Sequence, residues 1–334
     1  MKELLKKLTE TYGPSGSEEK IRATIKAEIE GIADEVRTDA LGNLIAFKKG
    51  KGGGKRVMVA AHMDEIGVIV THVDENGFLR FSPIGGVRLL SLLGGRAIFA
   101  DGTVGTFGLE KLEDPNKVPN LDKFFLDVGA KDKASVPVKV GDVAAFLRPF
   151  VDGGDRLMAK ACDDRVGCAV LVQAMRELKS SPNDVYFVFT TQEEVGLRGA
   201  TTSAYGLEPD LALAVDVTVA GDTPEVPASD VALEVALGKG PAIKVKDRGM
   251  LAHPQVKELL IQRAEAEGIP YQLEILSMGT TDAMAMQTSR AGVPTGVISV
   301  PCRYIHTPSE MVDYKDVSGA VRLLVATLAG PIEI

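Results

Sequence analysis

Short apolar runs with the character of buried β-strands recur along this chain, and an acid or a histidine follows each of them. His62 follows Val57–Ala61, Asp216 follows Leu211–Val215, and the acidic pair Glu193-Glu194 follows the run that begins at Val185. Helical patterns, such as Val166 to about Leu178, separate these runs. Such alternation predicts an α/β protein with a mostly parallel sheet flanked by helices.

Ligands of parallel sheets collect at the carboxyl ends of the strands, so the residues that follow the runs are candidates for a site. A further run, Val297–Val300, precedes a loop that holds His306, and the acids Asp163 and Asp164 precede the helical pattern. Neighbouring residues at a strand end point in different directions. Glu193 and Glu194 can therefore have different roles, one binding a metal and the other moving a proton.

The residue pattern changes between about Ile69 and Arg156, where helical periodicity nearly vanishes and glycines separate short β-like runs. Asp101-Gly102 predicts a tight hairpin turn between two such runs. We therefore predict a small all-β, barrel-like domain at 69–157, inserted into an α/β domain made of 1–68 and 158–334. The glycine-rich segment 50–55 lacks the Gly-Lys-Ser/Thr ending of a phosphate loop, which indicates a turn between strands.

Composition argues against several classes of partner. The formal charge is −8, from 38 basic and 46 acidic residues, and no long basic run is present, which argues against nucleic acid and membrane surfaces. No apolar run approaches the roughly 20 residues that cross a bilayer. Three cysteines without a close pair, and an amphipathic N-terminal helix instead of a signal peptide, favour a cytoplasmic location.

The candidate ligands are two imidazoles and three carboxylates: His62, Asp163, Glu194, Asp216 and His306. A nitrogen and oxygen set without thiolate suits zinc or cobalt, and manganese is possible. Five ligands are too many for one open catalytic site, but they suit two divalent metal ions that share a bridging carboxylate and activate a water. Asp64 would orient His62, and Glu193 would accept the proton of the attacking water.

Each candidate also has an ordinary structural interpretation. His62 alone could be a core histidine, His306 a surface residue, Asp163 a helix cap and Asp216 the start of a turn. Two of only four histidines stand in such positions together with the acids, and this coincidence favours the metal site.

Five motifs in order resemble the tetrahedral aminopeptidases, cytosolic dinuclear-metal aminopeptidases of the glutamyl and leucyl type that are sometimes labelled endoglucanases. The motifs are Ala61–Gly67, Asp163–Gly167, Gln192–Gly196, Val215–Val217 and Arg303–Glu310. The resemblance covers essentially the whole chain and implies a metal-dependent aminopeptidase that removes N-terminal residues from peptides.

The resemblance also assigns roles. It implies that Asp163 bridges the metals, that Glu194 and His306 bind one metal and His62 and Asp216 the other, and that Glu193 is the general base. A cis peptide between Asp163 and Asp164 is expected by similarity. The family further implies that the β block mediates dimerisation and that twelve subunits form a tetrahedron.

Three alternatives remain open from the sequence. A related dinuclear-metal carboxypeptidase or amide deacylase would need a cation for a substrate carboxylate, such as Arg165, Arg248 or Arg303. An endoglucanase would need an acid pair and sugar-stacking aromatics, but tryptophan is absent. A non-enzymatic assembly protein would leave the ligand set unexplained.

The preferred N-terminal residue also stays open, since Asp282 could bind a basic group, Lys246 or Arg248 an acidic one, and Met284 and Met286 an apolar one.

Overall fold

The structure is a computed structural model that describes residues 1–114, 116–224 and 234–334. Its α-helices are α1 (Lys2–Glu10), α2 (Glu19–Glu28), α3 (Cys162–Glu177), α4 (Arg198–Leu207), α5 (Pro254–Ala266), α6 (Asp282–Gln287) and α7 (Tyr314–Ala329). Its strands up to the middle of the chain are β1 (Glu35–Thr38), β2 (Leu44–Lys48), β3 (Arg56–His62), β4 (Gly67–Val73), β5 (Phe78–Ile84), β6 (Arg96–Phe99), β7 (Val104–Leu109), β8 (Phe124–Asp127) and β9 (Val143–Phe146). The remaining strands are β10 (Val151–Gly153), β11 (Arg156–Ala159), β12 (Asp184–Thr190), β13 (Leu211–Val219), β14 (Ala242–Lys246), β15 (Gln272–Ile275), β16 (Thr295–Arg303) and β17 (Glu310–Asp313).

A large mixed sheet forms the centre of the fold. Its strands follow the order β1-β2-β12-β3-β13-β16-β17-β11-β10, with β14 and β15 attached beside β16. The pairs β12–β3, β3–β13 and β13–β16 are parallel, and the other pairs along this order are antiparallel. Beside them, β14 pairs antiparallel with β16 and parallel with β15. The prediction of a mostly parallel sheet is therefore wrong outside the centre. The apolar runs identified only the central strands, because edge strands such as Glu35–Thr38 are largely exposed and carry no such run.

Helices cover both faces of this sheet because successive side chains of each strand alternate between the faces. On β3, Val57, Val59 and Ala61 belong to the core cluster that includes α1, α3 and α7, whereas Met58 and Ala60 pack in the cluster with α4 and α6. A strand buried on both faces must be apolar throughout. This requirement explains the continuous apolar runs of the sequence.

The strands β4 to β9 form a closed barrel between Gly67 and Phe146, in the order β4-β5-β8-β7-β6-β9. Its interior is filled by apolar side chains that include Phe81, Phe107 and Phe146. The predicted hairpin is present, since β6 and β7 pair antiparallel and Gly102 adopts a positive φ of 93° in the turn. The chain then returns to the large sheet at β10 and β11.

The N-terminal helix is present as predicted, and its Leu4, Leu5 and Leu8 are buried against the main core. The segment 50–55 lies between β2 and β3, as the absence of a phosphate-loop ending indicated. Among the described residues, no helix combines the length and the apolar character that a bilayer crossing requires.

Candidate metal centre

The predicted ligands meet at the carboxyl end of the parallel strands. His62 is the last residue of β3, and Glu193 and Glu194 follow β12. Asp163 lies in the first turn of α3, and His306 lies in the connection between β16 and β17. Asp216 differs from the prediction, because β13 continues past it to Val219. Its backbone pairs with Ser299 of β16, so it lies within a strand and does not start a turn. Asp216 lines the cavity of the site.

Asp163 stands between the two histidines. Its Oδ1 atom is 2.9 Å from His62 Nε2, and its Oδ2 atom is 3.4 Å from His306 Nε2. Glu194 Oε2 is 3.2 Å from His306 Nε2, and Asp216 Oδ1 is 3.9 Å from His62 Nε2. All five predicted ligands are therefore brought together, in two groups that Asp163 connects.

The local backbone of this region is unusual. Ala161 and His306 have positive φ values of 54° and 64°, and the peptide between Asp163 and Asp164 is cis, as the resemblance implies. Asp163 and Asp164 depart from helical φ and ψ although they lie at the start of α3. This departure lets Asp163 face the histidines while Asp164 Oδ1 accepts a hydrogen bond from the Gly167 amide, 2.9 Å away, and so caps the helix.

The electrostatics of the site favour a bound cation. Burial, followed by neighbouring charges that include Asp216, raises the pKa of Glu193 well above its ordinary value, and burial likewise raises the pKa of Asp216. Although burial opposes an imidazolium, hydrogen bonds to Asp163 and Glu194 raise the pKa of His306 to about 11. Carboxylates this close repel one another unless positive charge is placed among them, and a bound metal ion supplies that charge.

The donor atoms fit a metal site. The residues form two groups, and within each group the donor atoms all lie within 4.8 Å of one another. One group is His62 with Asp164 and Asp216, and the other is His62 with Asp163 and Glu194. Among the described residues, Glu194 Oε1 is buried without a hydrogen-bond partner, as expected for an atom reserved for an ion. Asp164 is a weaker donor candidate than Asp163, because its Oδ2 and Oδ1 atoms accept hydrogen bonds from the amides of His62 and Gly167.

Asp64 organises the residues around it. It is fully buried, and its Oδ1 atom is 3.5 Å from His62 Nδ1. The same carboxylate accepts hydrogen bonds from the amides of Glu193 and Glu194, at 3.0 and 3.3 Å, and from the Ser15 hydroxyl, at 2.6 Å. One side chain thus connects a predicted ligand, both members of the acidic pair and the segment that follows α1.

The site opens into a cavity of about 710 Å³, bounded by the described residues. Apolar residues line much of it, including Leu197, Leu276 and Met278. Two cations of the lining were not predicted from the sequence, Arg88 from the barrel and Lys244 from β14. Lys244 is buried, and its Nζ atom is 3.0 Å from Glu274 Oε1. Nothing in the sequence distinguished it from Lys246, because residues two apart share one face of a regular strand; the pairing of β14 with β15 is irregular between the two lysines, and Lys246 is exposed.

Other suggested residues lie outside the cavity lining. Asp282 is buried and bonds the Thr190 hydroxyl, and Thr281, not Asp282, caps α6. Met286 is in the core, and Met284 packs beside Gly249. The remaining suggested residues, Lys246 and Arg248, are exposed outside the lining.

Two of the arginines suggested as substrate cations have structural partners. Arg165 is fully buried and donates to the carbonyls of Leu8 and Thr11 at 2.6 and 2.9 Å. Arg303 pairs with Asp222, with 2.6 Å between Nη2 and Oδ2. Neither guanidinium is free to bind a substrate carboxylate.

Comparisons with known proteins agree with this architecture. Residues 42–323 match the family model described as M42 glutamyl aminopeptidase. The chain is 35% identical to a lysyl aminopeptidase of Pyrococcus furiosus, over 98% of this chain and 96% of the relative. It superposes on an aminopeptidase of Desulfurococcus kamchatkensis with a TM-score of 0.94 at 44% identity, over 98% of this chain and 94% of that one.

A third relative is the TET1 peptidase of Pyrococcus horikoshii, whose structure is described as assembling into a tetrahedron or a large octahedral shell. It matches with a TM-score of 0.86 at 33% identity, over 98% of both chains. The α/β fold places a metal-suited cluster of acids and histidines in a cavity, an arrangement that suits a hydrolytic enzyme. The chain belongs to the M42 glutamyl aminopeptidase family, and it is an aminopeptidase, a hydrolase that acts on peptide bonds.

Proposed function

We propose that this chain is a dinuclear-metal aminopeptidase that binds two divalent ions, zinc or cobalt. Asp163 would be shared by the two ions, His62 and Asp216 would hold one of them, and Glu194 and His306 would hold the other. The observation that carries the proposal is the placement of the two oxygens of Asp163 toward different histidines, at 2.9 and 3.4 Å. Nitrogen and carboxylate donors without thiolate are the ligands that such ions accept.

Two ions in this position would lower the pKa of a water between them and polarise the scissile carbonyl. Glu193 lines the cavity and its Oε2 atom lies 4.0 Å from His62 Nε2, so its carboxylate faces the centre. Glu193 accepts the proton of the attacking water and returns it to the leaving amine. Asp64 keeps the His62 ring in place from the opposite side through the Nδ1 contact.

We infer that the free N-terminal amine of a peptide binds among the carboxylates beside the ions, so that cleavage is confined to the first peptide bond. The ring of acids around His62 suits an ammonium group, and the relatives are aminopeptidases. Arg165, Arg303 and Lys244 are buried or paired, so Arg88 is the cation of the described cavity lining that a carboxypeptidase would use for a substrate carboxylate. These observations favour aminopeptidase action over carboxypeptidase or deacylase action.

We propose that residues 69–157 form an inserted domain, most of which is the barrel. Residues 1–68 and 158–334 form the catalytic domain in this proposal. We propose that the barrel mediates dimerisation and that dimers assemble into a tetrahedral dodecamer. Apolar side chains are exposed on and around the barrel, including Leu90 at 65%, Leu93 at 58% and Val118 at 68%. Mass measurement in solution tests this assembly, and a monomer at micromolar concentration contradicts it.

A cytoplasmic location is part of the proposal. The three cysteines, Cys162, Cys168 and Cys302, are free and buried, which suits a reducing compartment.

The central experiment compares aminoacyl-anilides with their N-acetylated counterparts, using enzyme loaded with zinc or cobalt. The proposal predicts hydrolysis of the free-amine substrates and a loss of at least about 100-fold on acetylation, because the blocked amine cannot enter the ring of carboxylates. Equal cleavage of both substrates, or undiminished cleavage after chelation, contradicts the proposal.

A further inference from the structure

One buried carboxylate connects the backbones of two predicted ligands that are far apart in the sequence. Glu310 is the first residue of β17 and is 1% exposed. Its Oε2 atom accepts a hydrogen bond from the Asp163 amide, and its Oε1 atom accepts one from the His306 amide, each at 2.9 Å. Both distances are those of well-formed hydrogen bonds.

The position of Glu310 follows from the sheet. It pairs with Ala159 of β11, the strand that leads into α3 and Asp163, and it follows the loop of His306 by four residues. The side chain therefore lies between the two segments that deliver these ligands. Without it, the buried Asp163 amide would lack this acceptor, a loss that costs about 1–3 kcal/mol, and the half-buried His306 amide would lose its contact as well.

The His306 end of this connection has a further need for support. His306 has a φ of 64° and Tyr304 a φ of 63°, in the left-handed region that side chains other than glycine rarely adopt. Residues in that region persist when surrounding contacts fix them. The hydrogen bond from the His306 amide to Glu310 is such a contact.

We propose that Glu310 is a positioning residue of the metal centre, which fixes the separation of Asp163 and His306 and thereby the affinity for the ion that they share. This inference rests on the proposed function, since it concerns the same centre. Glu310 acts through the two backbone amides and not on the substrate.

The test replaces Glu310 by glutamine, which has the same shape but offers one oxygen and one amide nitrogen. Either orientation of the new side chain leaves one ligand amide facing an N–H group. We expect the dissociation constant of one ion to rise about 10–100-fold, as for other residues that support metal ligands. Titration of metal-free protein with cobalt, followed by its absorption spectrum, measures this constant, and activity should recover at saturating metal.

Asp316 offers a matched control. It is buried like Glu310, and its Oδ1 and Oδ2 atoms accept hydrogen bonds at 2.7 Å from the amides of Gly240 and Gly238. These amides belong to a turn and not to predicted ligands. Asp316→Asn makes the same kind of change at a buried carboxylate that holds two amides, and both ions should bind to it as in the wild type.

The outcomes are distinct. Wild-type protein that binds no divalent ion contradicts the proposed function itself. Wild-type protein that binds two ions, with unchanged binding in Glu310→Gln, overturns the role of Glu310 alone. Should Glu310→Gln fail to fold, Glu310→Asp provides the same measurement, because its shorter side chain cannot reach both amides. Wild-type affinity for both ions in Glu310→Asp overturns the inference.

Discussion

Glu193 and Glu194 are adjacent in the sequence, yet their carboxylates face different histidines. Glu194 Oε2 is 3.2 Å from His306 Nε2, whereas Glu193 Oε2 is 4.0 Å from His62 Nε2. The amides of both residues donate to Asp64, which fixes the backbone between them. The two acids are therefore held in fixed and different positions, and their substitutions should have different effects.

Glu193→Gln should abolish most turnover and leave the metal content unchanged. An amide cannot accept the proton of the attacking water, and general-base groups typically contribute about 10²–10⁴-fold to the rate. Steady-state hydrolysis of an aminoacyl-anilide measures the rate, and elemental analysis of the purified protein measures the metal.

Glu194→Gln is the matched control for that experiment, with the same chemical change one residue along. It should weaken the binding of one ion, and excess metal should restore part of its activity. If excess metal restores Glu193→Gln instead, the two roles are exchanged.

Asp216→Ala should leave one ion bound per subunit, because the carboxylate beside His62 is lost while Glu194 and His306 remain. Asp163→Ala should weaken both ions, because its two oxygens face both histidines. Elemental analysis distinguishes these results. Two ions retained in Asp216→Ala would show that this residue is not a ligand.

The residues of the site could be predicted from the sequence because they follow apolar runs. His62 and the pair Glu193-Glu194 stand where the central parallel strands deliver them. A strand buried on both faces leaves a clear apolar signal, and the polar residue that ends it is conspicuous. His306 is a candidate because its loop follows the apolar run Val297–Val300, although the loop itself has no pattern of its own.

Features that depend on pairing between strands distant in the sequence could not be predicted from the sequence. The antiparallel edges of the large sheet are short and partly exposed, so no apolar run marks them. The sequence predicts a strand end at Asp216 because a charged residue interrupts an apolar pattern, but β13 continues beside β16. Lys244 reaches the cavity only because β14 attaches antiparallel to β16, which no local signal specifies.

Gly86→Ala should lower metal affinity and activity although the residue lies in the barrel connection after β5. A Cβ atom at Gly86 would lie 2.4 Å from His306 Nδ1, so the histidine would have to move. Overpacking of this kind typically costs about 1–3 kcal/mol. Metal titration and anilide hydrolysis measure the effect.

Gly206→Ala serves as the control for crowding, because a Cβ atom there meets nothing within 4 Å. Its activity should equal that of the wild type, and its stability should rise slightly, since alanine suits the last turn of α4 better than glycine. Normal metal affinity in Gly86→Ala would mean that the loop moves without disturbing His306.

Removal of metal should destabilise the protein as well as inactivate it. Without cations, the buried carboxylates of Asp163, Glu194 and Asp216 lie close together, and their repulsion opposes folding. A ligand that binds only the folded state, at a free concentration of 100 times its dissociation constant, adds about 2.7 kcal/mol to the free energy of unfolding. Differential scanning calorimetry with chelator, and again after zinc or cobalt is restored, measures the shift, and identical melting temperatures contradict the prediction.

Stability should also depend on the ionisation of Asp316, which lies away from the predicted ligands. Burial raises the pKa of this carboxyl to about 6 from 3.8, against the hydrogen bonds from Gly238 and Gly240, with Asp313 adding repulsion and Arg156 opposing it. The folded state therefore binds the proton of this carboxyl more tightly than the unfolded state does. The resulting contribution to the free energy of unfolding is complete below about pH 4 and is lost as pH rises through about 6. Relative to Asp316→Asn, the wild type should lose roughly 1–3 kcal/mol of unfolding free energy over that interval. Urea denaturation of both proteins at pH 4.5 and 7 measures the difference, and a constant difference would show that the carboxyl does not titrate in this range.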